Sequence, residues 1–149
     1  MKKIVSFLCS LFLLQIANAQ SFKADDLVGI WKTGEGTAMV KIYKNGEKYQ
    51  GRIVWLKEPN DKDGKPKTDV NHPDEKVHNR PIVGLINTWD FTYKEPNEWE
   101  NGKIYDPKNG KTYSCTITMT SINTIEVRGY IGVSLFGRTD AWTRQVQGK

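Results

Sequence analysis

Trp99-Glu100-Asn101-Gly102-Lys103-Ile104-Tyr105-Asp106, then Pro107-Lys108-Asn109-Gly110, then Lys111-Thr112-Tyr113-Ser114-Cys115-Thr116-Ile117-Thr118-Met119 is the stretch that decides the fold. After Gly110, apolar Tyr113, Cys115, Ile117 and Met119 alternate with polar Thr112, Ser114, Thr116 and Thr118. Successive side chains of a strand point to opposite faces, so this alternation gives one dry face and one wet face. Asn109-Gly110 is expected to supply the positive φ angles of a tight reversal. The stretch therefore reads as a β-hairpin with a defined inside. Asp106, just ahead of the turn, is expected to accept hydrogen bonds from the amides that follow it rather than to serve as a general acid.

The same pattern extends in both directions. Upstream, Ala38, Val40 and Ile42 alternate with Thr37, Met39 and Lys41. Asn45-Gly46 then turns the chain into Lys48 to Leu56, where Tyr49, Gly51, Ile53 and Trp55 share a face. Gly51 within that pattern predicts a bend or bulge. Downstream, Ser121 to Thr124 turns into Ile125 to Ile131, and Arg138 to Gln145 forms a last strand with Trp142 and Arg144. Val28 to Lys32 is a first strand, preceded by a short helical turn at Lys23 to Leu27. Ile82 to Tyr93 is a further strand, with Val83, Leu85 and Trp89 as its buried side chains. About eight strands in hairpin succession, with no helix long enough for a parallel crossover, predict an all-β, antiparallel up-and-down barrel. An interior of that size holds packed side chains or one small ligand.

Lys57 to Pro81 interrupts the strands. Pro59, Gly64, Pro66, Pro73 and Pro81 punctuate a run whose six Lys/Arg balance six Asp/Glu. A loop this long is uncommon in a compact domain, which makes it a candidate rim or lid. The formal charge of +5 includes Lys2 and Lys3, so residues 20–149 carry +3, without the basic stripe that a nucleic-acid binder needs.

The start of the chain has the form of a signal peptide, residues 1–19. Lys2-Lys3 precedes a nearly continuous apolar run from Ile4 to Ile16, and Ala17-Asn18-Ala19 is a small-x-small cleavage site. The run is too short to span a bilayer and Cys9 lies inside it, away from the cleavage point, so no membrane anchor is expected. The expected product is a periplasmic or secreted single domain, residues 20–149, and a monomer. Its one cysteine, Cys115, leaves stability to the core rather than to a disulfide.

Two resemblances bear on this reading. Gly29-Ile30-Trp31 at the first strand, with Arg144 two residues beyond Trp142, resembles the lipocalin and calycin signature, which implies that Gly29, Trp31, Trp142 and Arg144 close one end of the barrel. A second resemblance covers nearly all of residues 20–149. Its motifs are Gly51-Arg52-Ile53-Val54-Trp55-Leu56, Asp69-x-Asn71 with Arg80-Pro81-x-x-Gly84-Leu85, Trp99-x-x-Gly102-x-Ile104-Tyr105-Asp106-Pro107-x-x-Gly110, and Arg128-Gly129-Tyr130-Ile131-Gly132. These look like the bacterial family called domain of unknown function 2147. That likeness implies a secreted protein and assigns no activity.

The residues themselves offer little for catalysis. There is no Gly-x-Ser-x-Gly elbow, and Cys115 falls on an apolar strand face, where thiols are inert. The frame that would make Asp61-Lys62-Asp63-Gly64 a calcium loop puts Pro59 and Val70 at ligand positions. His72 and His78 read as exposed loop histidines, since no helical pair spacing and no cysteine accompanies them. No metal or cofactor is expected. Trp55, Trp89 and Tyr130, with Asp69, Asn71 and Arg80, form the candidate ligand cleft: aromatics at a barrel mouth with a few polar anchors. In the alternative reading Asp69, Asn71 and Arg80 hydrogen-bond the loop to itself and pin it over the barrel end. The corresponding functions are a non-catalytic binder of a small apolar or amphipathic molecule, or a solid barrel that meets envelope glycan or a protein partner; an enzyme is the third reading. Gly51 and Gly129 are the positions expected to leave room inside.

Overall fold

The computed structural model describes residues 20–146, and the expected signal peptide lies outside them. Eight strands follow one another round a closed antiparallel barrel: β1 (Gly29–Lys32), β2 (Ala38–Asn45), β3 (Lys48–Leu56), β4 (Ile86–Lys94), β5 (Glu98–Asp106), β6 (Lys111–Ser121), β7 (Thr124–Tyr130) and β8 (Gly137–Gln145). Each pairs with the next, and β8 returns to β1 with Arg144 opposite Trp31.

The deciding hairpin is β5–β6. Cys115, Ile117 and Met119 have no exposed surface, as their alternation predicts. Its turn is wider than a two-residue reversal. Gly110 has a φ of +71° but Asn109 is not among the positive-φ residues. The bends come instead from Asp106, whose carboxylate accepts from Lys108 N at 2.9 Å and whose carbonyl accepts from Gly110 N at 2.8 Å. In the β2–β3 hairpin Asn45 already pairs with Lys48, so the turn is Gly46-Glu47 with φ +62° at Gly46. Glycine at the first central position suits the twist of the flanking strands.

Strand β4 departs from expectation. It starts at Ile86, because Ile82 to Leu85 belong to the loop, where Leu85 O accepts from Ile53 N at 2.9 Å. Between Arg52↔Ile86 and Gly51↔Thr88 the register shifts, leaving Asn87 as the extra residue of a bulge. A second shift follows between Gly51↔Thr88 and Tyr49↔Phe91, and Asp90 there has φ +66°. These two irregularities turn Asn87, Thr88 and Phe91 into buried positions and leave Trp89 half-buried; in the loop before them Leu85 is buried, as expected, and Val83 is exposed. Strict alternation fails wherever a bulge inserts a residue.

One end of the barrel is sealed. A single 3-10 turn, Ala24–Leu27, lies across it with Leu27 fully buried beside Trp31, Trp99 and Tyr49. Trp31 Nε1 donates to Leu27 O at 2.9 Å, and Trp99 Nε1 donates to Ala24 O at 3.2 Å. The Arg144 guanidinium stacks 4.2 Å from the Trp31 ring centroid and donates to the carbonyls of Val28 (2.9 Å), Asp26 (2.5 Å) and Ile122 (2.6 Å). A planar cation can cover an indole and satisfy several carbonyls at once. Gly29 completes the arrangement, since a Cβ there would stand 2.5 Å from Arg144 Nη1. The spacing Gly29-x-Trp31 with a distant arginine therefore has a direct steric cause.

Candidate functional site

The strand directions place four connections at the opposite end: residues 33–37, 57–85, 107–110 and 131–136. That end opens onto a cavity of about 830 Å³. Val40, Ile53, Ile104, Val127, Gly129 and Trp142 form much of its wall, while Glu35, Glu58, Lys67, Lys108 and Arg138 stand among the loop residues that bound it. Most of these charges meet one another: Lys108 Nζ lies 2.7 Å from Glu35, Arg138 lies 3.6 Å from Glu35, and Lys67 lies 3.4 Å from Glu58. The hydrogen bond and charge of Lys108 hold the Glu35 carboxyl below its usual pKa. The result is an apolar chamber with a charged but mutually neutralised rim, the general makeup of a small-molecule site.

Two wall features qualify this chamber. Gly129 opens it, since a Cβ there would sit in ordinary contact with Ile104 at 3.5 Å. Gly51, also expected to make room, does not: Thr88 Oγ1 and Val40 would stand 2.4 and 2.7 Å from its Cβ, so neighbouring side chains already fill that space. The β4 bulge carries Asn87, a cavity-lining residue only 7% exposed whose Oδ1 has no hydrogen-bond partner. Thr88 Oγ1, next to it, is likewise without a partner.

The long loop is held at the mouth by a buried polar cluster. Asp69 has no exposed surface. Its Oδ2 accepts from Arg80 Nε and Nη2 at 2.9 and 2.7 Å, and its Oδ1 accepts from Tyr105 Oη at 2.6 Å. Tyr105, the residue after Ile104 on β5, also lines the cavity and is covered by the loop, with the His72 ring 5.5 Å and the Arg80 guanidinium 5.8 Å from its own. Burial and the bond to Asp69 push the Tyr105 hydroxyl up to about 12. Asn71 Nδ2 donates to Pro107 O at 3.0 Å and Lys108 O at 3.1 Å, joining the loop to the β5–β6 turn.

These contacts locate the residues singled out in the sequence. Asn71 lines the cavity at its rim; Asp69 and Arg80 are engaged with each other and with Tyr105. Trp55, Trp89 and Tyr130 do not line the cavity. Trp55 is 38% exposed because the register shift between Met39↔Trp55 and Val40↔Ile53 places Ile53 and Leu56, not Trp55, toward the chamber. Trp142, expected to act as a plug, forms part of the wall, its Nε1 donating to Asp140 Oδ2 at 2.8 Å. His72 and His78 are half-buried rather than exposed: His72 Nδ1 accepts from Asp74 N at 3.0 Å, and His78 Nε2 lies 2.7 Å from His72 O. Among the described residues no group of three or more His, Cys, Asp or Glu side chains is placed to hold a metal ion. Asn87 was not foreseeable, because nothing in Ile86-Asn87-Thr88 marks a bulge.

A solved structure with the same fold is described as protein HP1028 from the human pathogen Helicobacter pylori, belonging to the lipocalin family. It superposes with a TM-score of 0.72 at 24% identity over 80% of this chain and 83% of its own. No curated protein sequence matches this chain. Residues 29–144 match the family described as an uncharacterized protein conserved in bacteria, DUF2147, so the chain belongs to that family.

Proposed function

We propose that this protein is a non-catalytic, periplasmic or secreted carrier of one small apolar or amphipathic molecule, acting as a monomer. The observation that carries this is the chamber of about 830 Å³ walled by Val40, Ile53, Ile104, Val127 and Trp142 and open at one end only. Its volume falls within the range of sites that enclose most of a small ligand. An apolar tail is driven into such a space by the loss of its hydrated surface, and the paired charges at the mouth suit a polar head that stays near water. The interaction-module alternative requires a solid core, and the chamber counts against it.

The test is native mass spectrometry of residues 20–149 purified from the periplasm, before and after organic extraction. The expected result is an extractable adduct of defined mass. Gly129→Leu, which adds a side chain into the chamber beside Ile104, is expected to remove the adduct while the protein stays folded. A bare-chain mass in every preparation would sink the carrier reading.

A further inference from the structure

The connection between β7 and β8 is built against the usual economy of a water-exposed loop. Ile131-Gly132-Val133-Ser134-Leu135-Phe136-Gly137 contains no charged residue. Its large side chains face solvent, with Leu135 79% exposed, Phe136 77%, Ile131 67% and Val133 58%. Single exposed apolar residues are ordinary, but four within six positions form a patch that calls for an account.

The loop does not fold back over its own apolar side chains, and its backbone is tied down. Arg128 Nε and Nη2 donate to Ser134 O at 2.9 and 2.7 Å, and Nη1 donates to Thr139 Oγ1 at 2.9 Å. Phe136 N donates to Val133 O at 3.2 Å within the 3-10 turn Ser134–Phe136. The guanidinium thus holds the carbonyl side of the loop toward the barrel and leaves the apolar side chains outward.

Position gives the patch its meaning. Gly129 and Arg138, near the two feet of the loop, both line the cavity, so the patch sits on the rim of the open end. Val70, from the long loop, is a further exposed apolar side chain (60%) at the same end of the barrel. At the sealed end Arg144 and the N-terminal turn close the way in.

We infer that the 131–136 loop is a bilayer-docking tip that sets the mouth of the chamber against a lipid surface. The inference rests on the carrier reading, since a molecule that prefers the chamber to water also prefers a membrane, and its transfer is easiest where the two apolar phases meet. Four apolar side chains on one tip suit shallow insertion at the headgroup boundary; beside them Arg138, its side chain 87% exposed, shares the Glu35 carboxylate (3.6 Å) with Lys108 (2.7 Å), so this part of the rim keeps one positive charge in excess for lipid phosphate. A second protein surface fits less well. A standard interface buries about 800 Å² on each partner, more than one four-residue tip can offer.

The test is flotation of residues 20–149 with vesicles of phosphatidylethanolamine and phosphatidylglycerol, with native mass spectrometry of the same samples for the chamber's adduct. The wild type is expected to float with the vesicles. Leu135→Asp combined with Phe136→Asp is expected to weaken that association by at least about tenfold while keeping the adduct and the melting temperature. Ile122→Asp, at an exposed apolar position (46%) of the sealed end, is expected to leave flotation unchanged. A wild type that stays with the aqueous phase overturns the docking tip and leaves the carrier reading intact, whereas flotation with a bare-chain mass supports the tip and removes the carrier. A dimer in free solution that the loop substitutions convert to monomer overturns the bilayer in favour of a second copy.

Discussion

The backbone carbonyl oxygen of Asn71 stands 1.9 Å from the point a Cβ on Gly110 would occupy. Two stretches nearly forty residues apart, Asp69-x-Asn71 and Asp106-Pro107-x-x-Gly110, are thereby a single contact: the long loop rests on the tip of the hairpin that organises the barrel. Gly110→Ala must both adopt φ +71° and displace that carbonyl. Gly46→Ala meets the same backbone demand, φ +62°, with no atom within 4 Å of its Cβ. The backbone term alone is about 1 to 3 kcal/mol. Gly110→Ala is expected to cost more than Gly46→Ala in denaturant titration, and to make Lys57 to Arg80 the first site of limited proteolysis. Equal costs and unchanged cleavage would remove the docking contact from the account.

Arg80 is the cation available to the fully buried Asp69 carboxylate. Its removal in Arg80→Ala leaves a buried charge with one donor, Tyr105, and losses of this kind run to about 3 to 5 kcal/mol. Asp69→Asn combined with Arg80→Ala relieves the charge and is expected to recover part of that loss. The comparison is a double-mutant cycle by chemical denaturation. Additive losses would show that the two side chains do not depend on each other.

Tyr105 gives the cluster a pH signature. An unfolded tyrosine ionises near pH 10, whereas burial first and the bond to Asp69 second push the folded Tyr105 up to about 12. Between those values the native state keeps a proton that the unfolded chain has released, so the group's contribution is fully present and independent of pH below about 10 and is lost as pH rises from about 10 to 12. Tyr49, raised by burial and its bond to Asp25, declines alongside it in any variant that retains both. Tyr105→Phe is expected to cost about 1 to 3 kcal/mol at pH 9, because Asp69 loses a donor, and the gap to the wild type is expected to narrow through pH 11. A gap independent of pH would mean the hydroxyl is not the buried donor described.

What was legible in the sequence follows from where its physics is local. Strand β6 declares its faces by two-residue alternation, and Gly29, Trp31 and Arg144 declare the sealed end because stacking and close approach demand those residue types. The chamber was less legible. Trp55 and Trp89 are large and apolar and sit in strands, yet register shifts turn the chamber-facing role over to Leu56 and Asn87. A bulge is a relation between two strands, so neither strand announces it alone. The loop Ile131 to Phe136 carries no charge, but its place at the mouth depends on the closed topology and was not legible in the chain.

Trp31 and Arg144 test the sealed end. Trp31 is fully buried, and Trp31→Ala is expected to cost about 3 to 5 kcal/mol through lost transfer energy and the cavity left behind. Arg144→Lys keeps the charge but not the planar fork, so the carbonyls of Asp26, Val28 and Ile122 compete for one ammonium. A loss of about 1 to 3 kcal/mol is expected in thermal or chemical unfolding. Full tolerance of lysine would show that charge, not stacking and bidentate geometry, holds the seal.

Asn87 sets stability against the chamber's contents. Its Oδ1 is buried without a partner on a bulge that turns the residue inward among apolar neighbours. Keeping such a group out of water costs about 1 to 3 kcal/mol, so replacing it with an apolar side chain of similar size relieves the cost. Asn87→Leu is therefore expected to stabilise the ligand-free barrel by that amount, read as a rise in the denaturation midpoint at unchanged m value. The same substitution removes the bulge's polar side chain from the wall, and an adduct that binds through it should be lost or weakened in native mass spectra. A leucine variant that is less stable than the wild type would mean that the amide is already satisfied in the empty chamber, as an ordered water would do.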